Sequence, residues 1–365
     1  HEALNGVHIK GSAGSRIASS AWNGVQIIVG NHLNANYPTS ILLEELTVGA
    51  SWNDITMYAT NGINLPRFAL ENSRFENWNF TVKQNEVSSF EQVGQALLWM
   101  DGRVHSAHLT GWRFGVGSHY NIQSATGVNS QIRQIYVENM LFDSISAENP
   151  STITDMSFDV AATGCASISP IPAIEIASIY FNTVGSWDVN EAEPVLWNGI
   201  AVDVTATVTA TSAYNAFVLR NVGGSLPATS VFENVVMLLD INMSSLCGQV
   251  VSDSFRDESA VKRYIAFVEI DNVNFYTFKN WNITFSSLHL VGDPNLSASL
   301  LGVAAVSITN CDSRDTQRIT NFDIEVNHRL EGFAIPFLGI DVRMNDFQNL
   351  IVENCDWLVS VPRAL

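Results

Sequence analysis

Charge is what this 365-residue chain has least of. Charged residues make up 15% of it, against roughly 25% in an ordinary soluble domain. Cations are the scarcer kind. There are four lysines (Lys10, Lys83, Lys262 and Lys279), and the net charge is −18. Nucleic acids and anionic lipid surfaces both demand a cationic face, so neither is an expected partner. No apolar run approaches the roughly 18 residues of a membrane helix; the richest, 300–308, already contains Gly302 and Ser307, so membrane insertion is not expected. The four cysteines, Cys165, Cys247, Cys311 and Cys355, include no CxxC pair. That is too few for a disulfide framework and the wrong spacing for zinc. A long amphipathic helical pattern is also missing, the nearest stretches being 90–100 and 255–264. The ten prolines are scattered, and no charge block or Ser/Gly tract divides the chain, so a single domain is expected. The first residue is His1 rather than Met, which reads as a processed chain or a fragment.

Apolar residues, by contrast, make up 46%, ample for a core and for buried contact surface between subunits. Val, Ile, Thr, Phe, Asn and Ser dominate, which favours strands and tight bends. One phrase recurs: Phe68-Ala-Leu70-Glu-Asn72, Ile135-Tyr-Val137-Glu-Asn139, Phe217-Val-Leu219-Arg-Asn221, Val268-Glu-Ile270-Asp-Asn272, Val306-Ser-Ile308-Thr-Asn310 and Leu350-Ile-Val352-Glu-Asn354. Positions −4 and −2 from the Asn are apolar and −1 is polar, the alternation of a strand with one buried face. Three residues after the Asn stands Phe75, Phe142, Phe275 or Trp357 in four of the six. In a straight strand that aromatic would face away from the apolar pair. Burying it requires a bend, and Asn tolerates the left-handed conformation such a bend uses. Asn72, Asn139, Asn221, Asn272, Asn310 and Asn354 are therefore expected to turn the backbone. A second phrase, Phe75-Glu-Asn-Trp-Asn-Phe-Thr-Val82, nearly repeats as Phe278-Lys-Asn-Trp-Asn-Ile-Thr-Phe285. Short strands with one inward face bury it by stacking as successive coils.

These phrases resemble those of right-handed parallel β-helix proteins of the pectin-lyase-like class, over about 42–360. The resemblance implies an all-β, single-domain right-handed parallel β-helix, with 1–41 as an N-terminal cap or lead-in to the coils and 42–365 as the solenoid body. Coils of that class are roughly twenty residues long. A dozen or more, ~4.8 Å apart, would make a rod of roughly 60–75 Å. The rival, a β-sandwich, predicts hairpin turns, and only Asn23-Gly24 and Asn61-Gly62 come near that signal.

Catalytic motifs are not apparent. Polysaccharide hydrolases of the class carry an Asn-Thr-Asp phrase, an Asp-Asp pair and a Gly-His-Gly; here Asn182-Thr-Val breaks the first, and the others do not occur. There is no phosphate-cradling glycine loop and no Gly-x-Ser-x-Gly elbow, so no catalytic residue and no cofactor are assigned. Asp101, His105, His108 and His119 form the best metal candidate. On one strand, however, His105 and His108 point to opposite faces, and no metal is expected. Cys311 and Cys355 both sit in Asn-Cys-Asp; on adjacent coils they could reach each other, on more distant coils they could not. Buried thiols fit the coil length better, and Cys165 with Cys247 stays open. Asn79, Asn242, Asn282 and Asn295 open Asn-x-Ser/Thr sequons, candidate N-glycosylation positions in a secreted protein. Alternation counted from Asn77 would turn Asn79 and Asn282 inward.

The sequence is therefore expected to be a secreted or surface-exposed, non-enzymatic β-solenoid, a subunit of a fibre, coat or appendage. Its partners would be copies of itself or neighbouring subunits. The alternative is a carbohydrate-cleaving or carbohydrate-binding β-helix protein, with nine Trp and eight Tyr as sugar platforms.

Overall fold

The computed structural model describes residues 6–12, 16–17, 20–30, 40–87, 96–122, 130–143, 151–166, 174–184, 196–210, 213–222, 230–244, 265–273, 276–291, 303–311, 317–331, 337–344 and 350–360. Among them there are strands and bends and no helix. The chain is a parallel β-helix. Sheet 1 runs through Val7–Lys10, Ile41–Glu44, Ile63–Glu71, Ala96–His105, Ser130–Asp143, Ile174–Val184, Ala213–Val222, Ile265–Val273, Val303–Cys311 and Phe337–Met344. Sheet 2 runs through Gln26–Val29, Thr56–Ala59, Asn79–Val87, Arg113–Ile122, Thr152–Ala166, Leu196–Ala210, Ser230–Ser244, Tyr276–Val291 and Gln317–Glu331, and ends on Leu350–Glu353 and Trp357–Ser360. Successive strands of each sheet pair in parallel.

One backbone feature organises sheet 2. Gly24, Asp54, Asn77, Gly111, Asp155, Gly199, Asn234, Asn280, Asn321 and Asn354 all have φ between 50° and 77°. Strand register puts them in a single column, one per coil. A left-handed residue shifts the inward–outward alternation by one, so residues −2, +1, +3 and +5 from it all face inward. Around Asn77 these are Phe75, Trp78, Phe80 and Val82; around Asn280 they are Phe278, Trp281, Ile283 and Phe285; all eight are buried. The duplicated Asn-Trp-Asn phrase is thus this column seen at two coils. The column is restricted to Gly, Asn and Asp, the residues that tolerate positive φ.

Side chains reinforce the column. Asn77 donates to Asp54 Oδ1 at 2.9 Å, Asn280 to Asn234 Oδ1 at 2.9 Å and Asn321 to Asn280 Oδ1 at 2.8 Å. Where Gly199 breaks the run, Asn234 donates instead to Asn198 Oδ1 at 2.7 Å. Inside, rings stack at close to the strand spacing of ~4.8 Å: Trp22 on Trp52 at 4.1 Å, Trp78 on Trp112 at 4.7 Å and Phe114 on Phe158 at 4.9 Å. Three +1 tryptophans donate their indole N–H to the −2 carbonyl one coil earlier: Trp78 to Trp52, Trp112 to Phe75 and Trp281 to Phe232. A large aromatic is thereby buried with its polar atom satisfied. One continuous apolar core fills the coils from Ile41 to Val326.

The expected rod length changes, and the stretches nearest to a helix or a hairpin signal find their places. The described coils number ten, which gives a stack of about 45 Å at ~4.8 Å per step. The reason is coil length, which runs from 23 residues between Asp54 and Asn77 to 46 between Asn234 and Asn280. In the stretch 90–100, residues 96–100 belong to the strand Ala96–His105. Asn23-Gly24 makes a left-handed bend between parallel-paired strands and not a hairpin, and Asn61-Gly62 lies between Thr56–Ala59 of sheet 2 and Ile63–Glu71 of sheet 1. The second helical stretch, 255–264, lies outside the described residues. Val7–Lys10 and Gln26–Val29, within 1–41, pair as the first strands of the two sheets.

Candidate functional surface

The six Asn phrases sort into three columns. Glu138, Arg220, Asp271 and Thr309 share one register column of sheet 1 with Asn182, so Asn139, Asn221, Asn272 and Asn310 stand in the next column, with Thr183 between the first two; φ is 53° at Asn272. Asn72, φ 49°, stands instead opposite Ser106, φ 47°, one corner later. Asn354, φ 53°, ends the sheet 2 column. A left-handed bend is thus recorded at Asn72, Asn272 and Asn354, each in a different column.

The outer face of sheet 2 is largely polar, with exposed apolar residues such as Val236 and Leu238 among the polar ones. Asn79, Asn242 and Asn282 lie on it with exposed side chains. Alternation counted through Asn77 would place Asn79 and Asn282 inside; the left-handed residues Asn77 and Asn280 reverse that by sending Trp78 and Trp281 inward. Asn282 accepts a hydrogen bond from Thr284 Oγ1 at 2.9 Å. Asn295 lies outside the described residues. The same face carries Asp159 and Asp203 side by side on neighbouring strands, with Asp240 one coil further on. Partial desolvation against the sheet pushes the Asp203 carboxyl above the ordinary range, and the Asp159 and Asp240 carboxylates push it the same way. Like charges on adjacent strands oppose one another, and the three carboxylates stand together on this face. No local sequence signal announces the trio; only strand register assembles it.

The histidines do not converge. Ser106 bends the chain between His105 and His108. His108 Nδ1 lies 2.9 Å from Thr152 Oγ1 and His119 Nδ1 lies 3.0 Å from Thr163 Oγ1, each in contact with the next coil. Among the described residues, no three His, Cys, Asp or Glu side chains cluster as a metal would need. Cys311 ends a strand of sheet 1, and Cys355 is a half-buried free thiol in the last coil of sheet 2. Cys165 lies in the strand Thr152–Ala166, and Cys247 is outside the described residues.

Sheet 1 has a different outer face. Trp99, Tyr136, Tyr180, Val218 and Glu269 form one column, and Tyr136, Tyr180 and Val218 are buried although they point away from the core. The Arg133 guanidinium lies 4.0 Å from the Tyr136 ring centre and 4.4 Å from that of Tyr180. Arg220 donates to Tyr180 Oη at 2.8 Å and pairs with Glu269 and with Asp271, the latter at 3.5 Å. Burial works against the Arg220 charge, but the carboxylates of Glu269 and Asp271 outweigh it and hold its pKa above the usual value. This is a stacked cation–π and ion-pair ladder, tying four coils together.

Inside, at the corner where sheet 2 meets sheet 1, Gln134 donates to Ser118 Oγ at 2.7 Å and to Ala161 O at 3.0 Å, and accepts from Ser178 Oγ at 2.6 Å. Burial raises the Tyr214 phenol pKa, Ser178 lying within hydrogen-bond reach. This enclosed network pins the corner. The void beside Gly102, about 10 Å³ and lined by Leu65, Phe68 and Met100 among others, holds no more than about one water.

The coil ends complete the surface. In the last coil, Trp357 and Val359 occupy inward-facing positions opposite Ile324 and Val326, yet they are 39% and 40% exposed. No family model, curated protein or solved structure matches this chain.

Proposed function

We propose that this chain is a non-enzymatic structural β-solenoid, displayed outside the cell as a subunit of a fibre, coat or appendage that associates with copies of itself. The observation that carries this reading is the outer face of sheet 2, where Val236 and Leu238, on one strand in the middle of the stack, are 53% and 45% exposed. Exposed apolar side chains on an otherwise polar face suit a contact with a neighbouring subunit. The low charged fraction is in keeping with a surface that packs against neighbours, and Asn79, Asn242 and Asn282 offer exposed sequons for glycans. Sedimentation velocity and negative-stain imaging over a wide concentration range test the reading. Concentration-dependent oligomers or filaments are expected; a particle that stays monomeric throughout contradicts it.

Asp159, Asp203 and Asp240 favour a second reading, a carbohydrate-processing role like that of hydrolases in the class the sequence resembles. Those hydrolases gather carboxylates from neighbouring coils as acid and base. Release of reducing ends from acidic or neutral polysaccharides, abolished by Asp203→Asn, would establish it; no release from any polymer tried would remove it.

A further inference from the structure

The proposed self-association leaves open which surfaces meet, and on that reading the outer face of sheet 2 supplies an answer. Strand register divides this face by charge. Lys83 and Arg113 stand on the neighbouring strands Asn79–Val87 and Arg113–Ile122, and Asp159, Asp203 and Asp240 stand on the next three. These five side chains are exposed. None of them forms a salt bridge among the described residues, whereas Glu44, Glu71, Glu233, Glu269 and Glu331 elsewhere do. Carboxylates on adjacent strands with no cation beside them oppose folding, so both signs of charge are left for a partner.

The relief of the face is uneven as well. Gly115 and Gly117 point outward where the cationic and acidic strands meet. A side chain at Gly115 would touch only Phe80 O and Thr81 Oγ1, both 3.9 Å from its Cβ, and one at Gly117 would meet nothing within 4 Å. Packing within one copy therefore does not require glycine at either position, and glycine weakens a strand interior. What the two glycines leave is a hollow that another surface can enter. Three strands beyond it, Val236 and Leu238 are 53% and 45% exposed.

We propose that two copies of this chain pack sheet 2 against sheet 2 about a twofold axis that runs parallel to the strands, between Arg113–Ile122 and Thr152–Ala166. Such an axis reverses the order of the coils and keeps the order of residues along each strand. Arg113–Ile122 then lies over Thr152–Ala166 of the second copy, Asn79–Val87 over Leu196–Ala210, and Thr56–Ala59 over Ser230–Ser244. Each outward column meets the same column. Gly115 receives Asp159 of the second copy, with Arg113 beside it. Lys83 stands between Asp203 and Asp240, and Tyr58 meets Leu238. Each contact occurs twice, as a twofold contact must.

Charge selects this arrangement. It brings every aspartate of the trio beside a cation of the other copy, whereas an axis along the stack would lay one trio over the other. The contact spans six strands ~4.8 Å apart and about three outward columns ~6.8 Å apart. That is roughly 600 Å² per copy, the lower end of specific interfaces. Asn79 meets Ala201 and stays bare in the pair, while Asn242 and Asn282 lie at or beyond its margin. A twofold contact closes at two copies, so the pair is the unit of any larger assembly.

Sedimentation equilibrium of the full chain, produced without glycans, tests the pair. The parent should dimerise, and more weakly as salt is added. Lys83→Glu alone and Asp203→Lys alone should each weaken the dimer about tenfold or more, and the two together should return it to within roughly threefold of the parent. The two positions lie three strands apart in one copy, about 14 Å, so that rescue acts only between copies. Gly115→Leu, for which one copy has room, should weaken the dimer by about tenfold while thermal unfolding stays as in the parent. Single reversals that weaken the dimer without rescue by the double variant would overturn this register. Oligomers that none of these substitutions affects would overturn the face and leave the structural-subunit reading standing. A parent that stays monomeric throughout would overturn both.

Discussion

Asn280 shows how much one residue does in this fold. Its φ of 56° turns the strand; its amide donates to Asn234 and its oxygen accepts from Asn321. Replacing it by alanine keeps a Cβ in the left-handed region and removes both hydrogen bonds, a loss of roughly 2 kcal/mol. Glycine removes the bonds and relieves the backbone, so Asn280→Gly should lose about half of that. Urea unfolding midpoints in the order parent, Asn280→Gly, Asn280→Ala are the expected outcome. At this scale the sequence is readable, because a strand broken by Asn and resumed by an inward aromatic is a local pattern. It does not show that Gly111, Gly199, Asp54 and Asp155 play the same part as Asn77. Asn, Asp and Gly share a tolerance for positive φ, and the recurring phrase rests on Asn alone.

Strands and their faces are legible in part. Alternation marks the inward residues within each strand. Register between coils is not legible, because the chain between successive bends varies from 23 to 46 residues. The aspartate trio belongs to that hidden layer, and it has a consequence for stability. Asp203 has its pKa raised by partial desolvation and by Asp159 and Asp240. A carboxyl raised on folding contributes stability fully below its unfolded pKa, near ~3.9, and loses it as pH rises through the folded value. At neutral pH its charge therefore opposes folding. Asp203→Asn should raise the melting temperature at pH 7, with a gain that shrinks as pH falls below the ordinary carboxylate range. Melting curves across that range check it, and a gain that grew on acidification would contradict the assignment. In the stretch 90–100, the nearest approach to a helical pattern in the sequence, residues 96–100 form a strand held by partners on both sides.

At the scale of the whole molecule, the coils advance in one direction, successive strands of both sheets pairing in parallel. Nothing in the sequence shows that direction. The same advance places distant residues side by side along the whole rod, and the fold and the aspartate trio both rest on it. It is tested most directly by pairing cysteines on neighbouring coils. Thr207 and Asn242 are register partners on exposed positions of sheet 2. With Thr207→Cys and Asn242→Cys in one chain, mild oxidation should close a bond within the chain, found by peptide mass spectrometry. A chain that pairs Thr207→Cys instead with Thr81→Cys, several strands away along the same sheet, should stay reduced. Failure of the 207–242 pair to close while distant pairs do would contradict the stacked parallel coils.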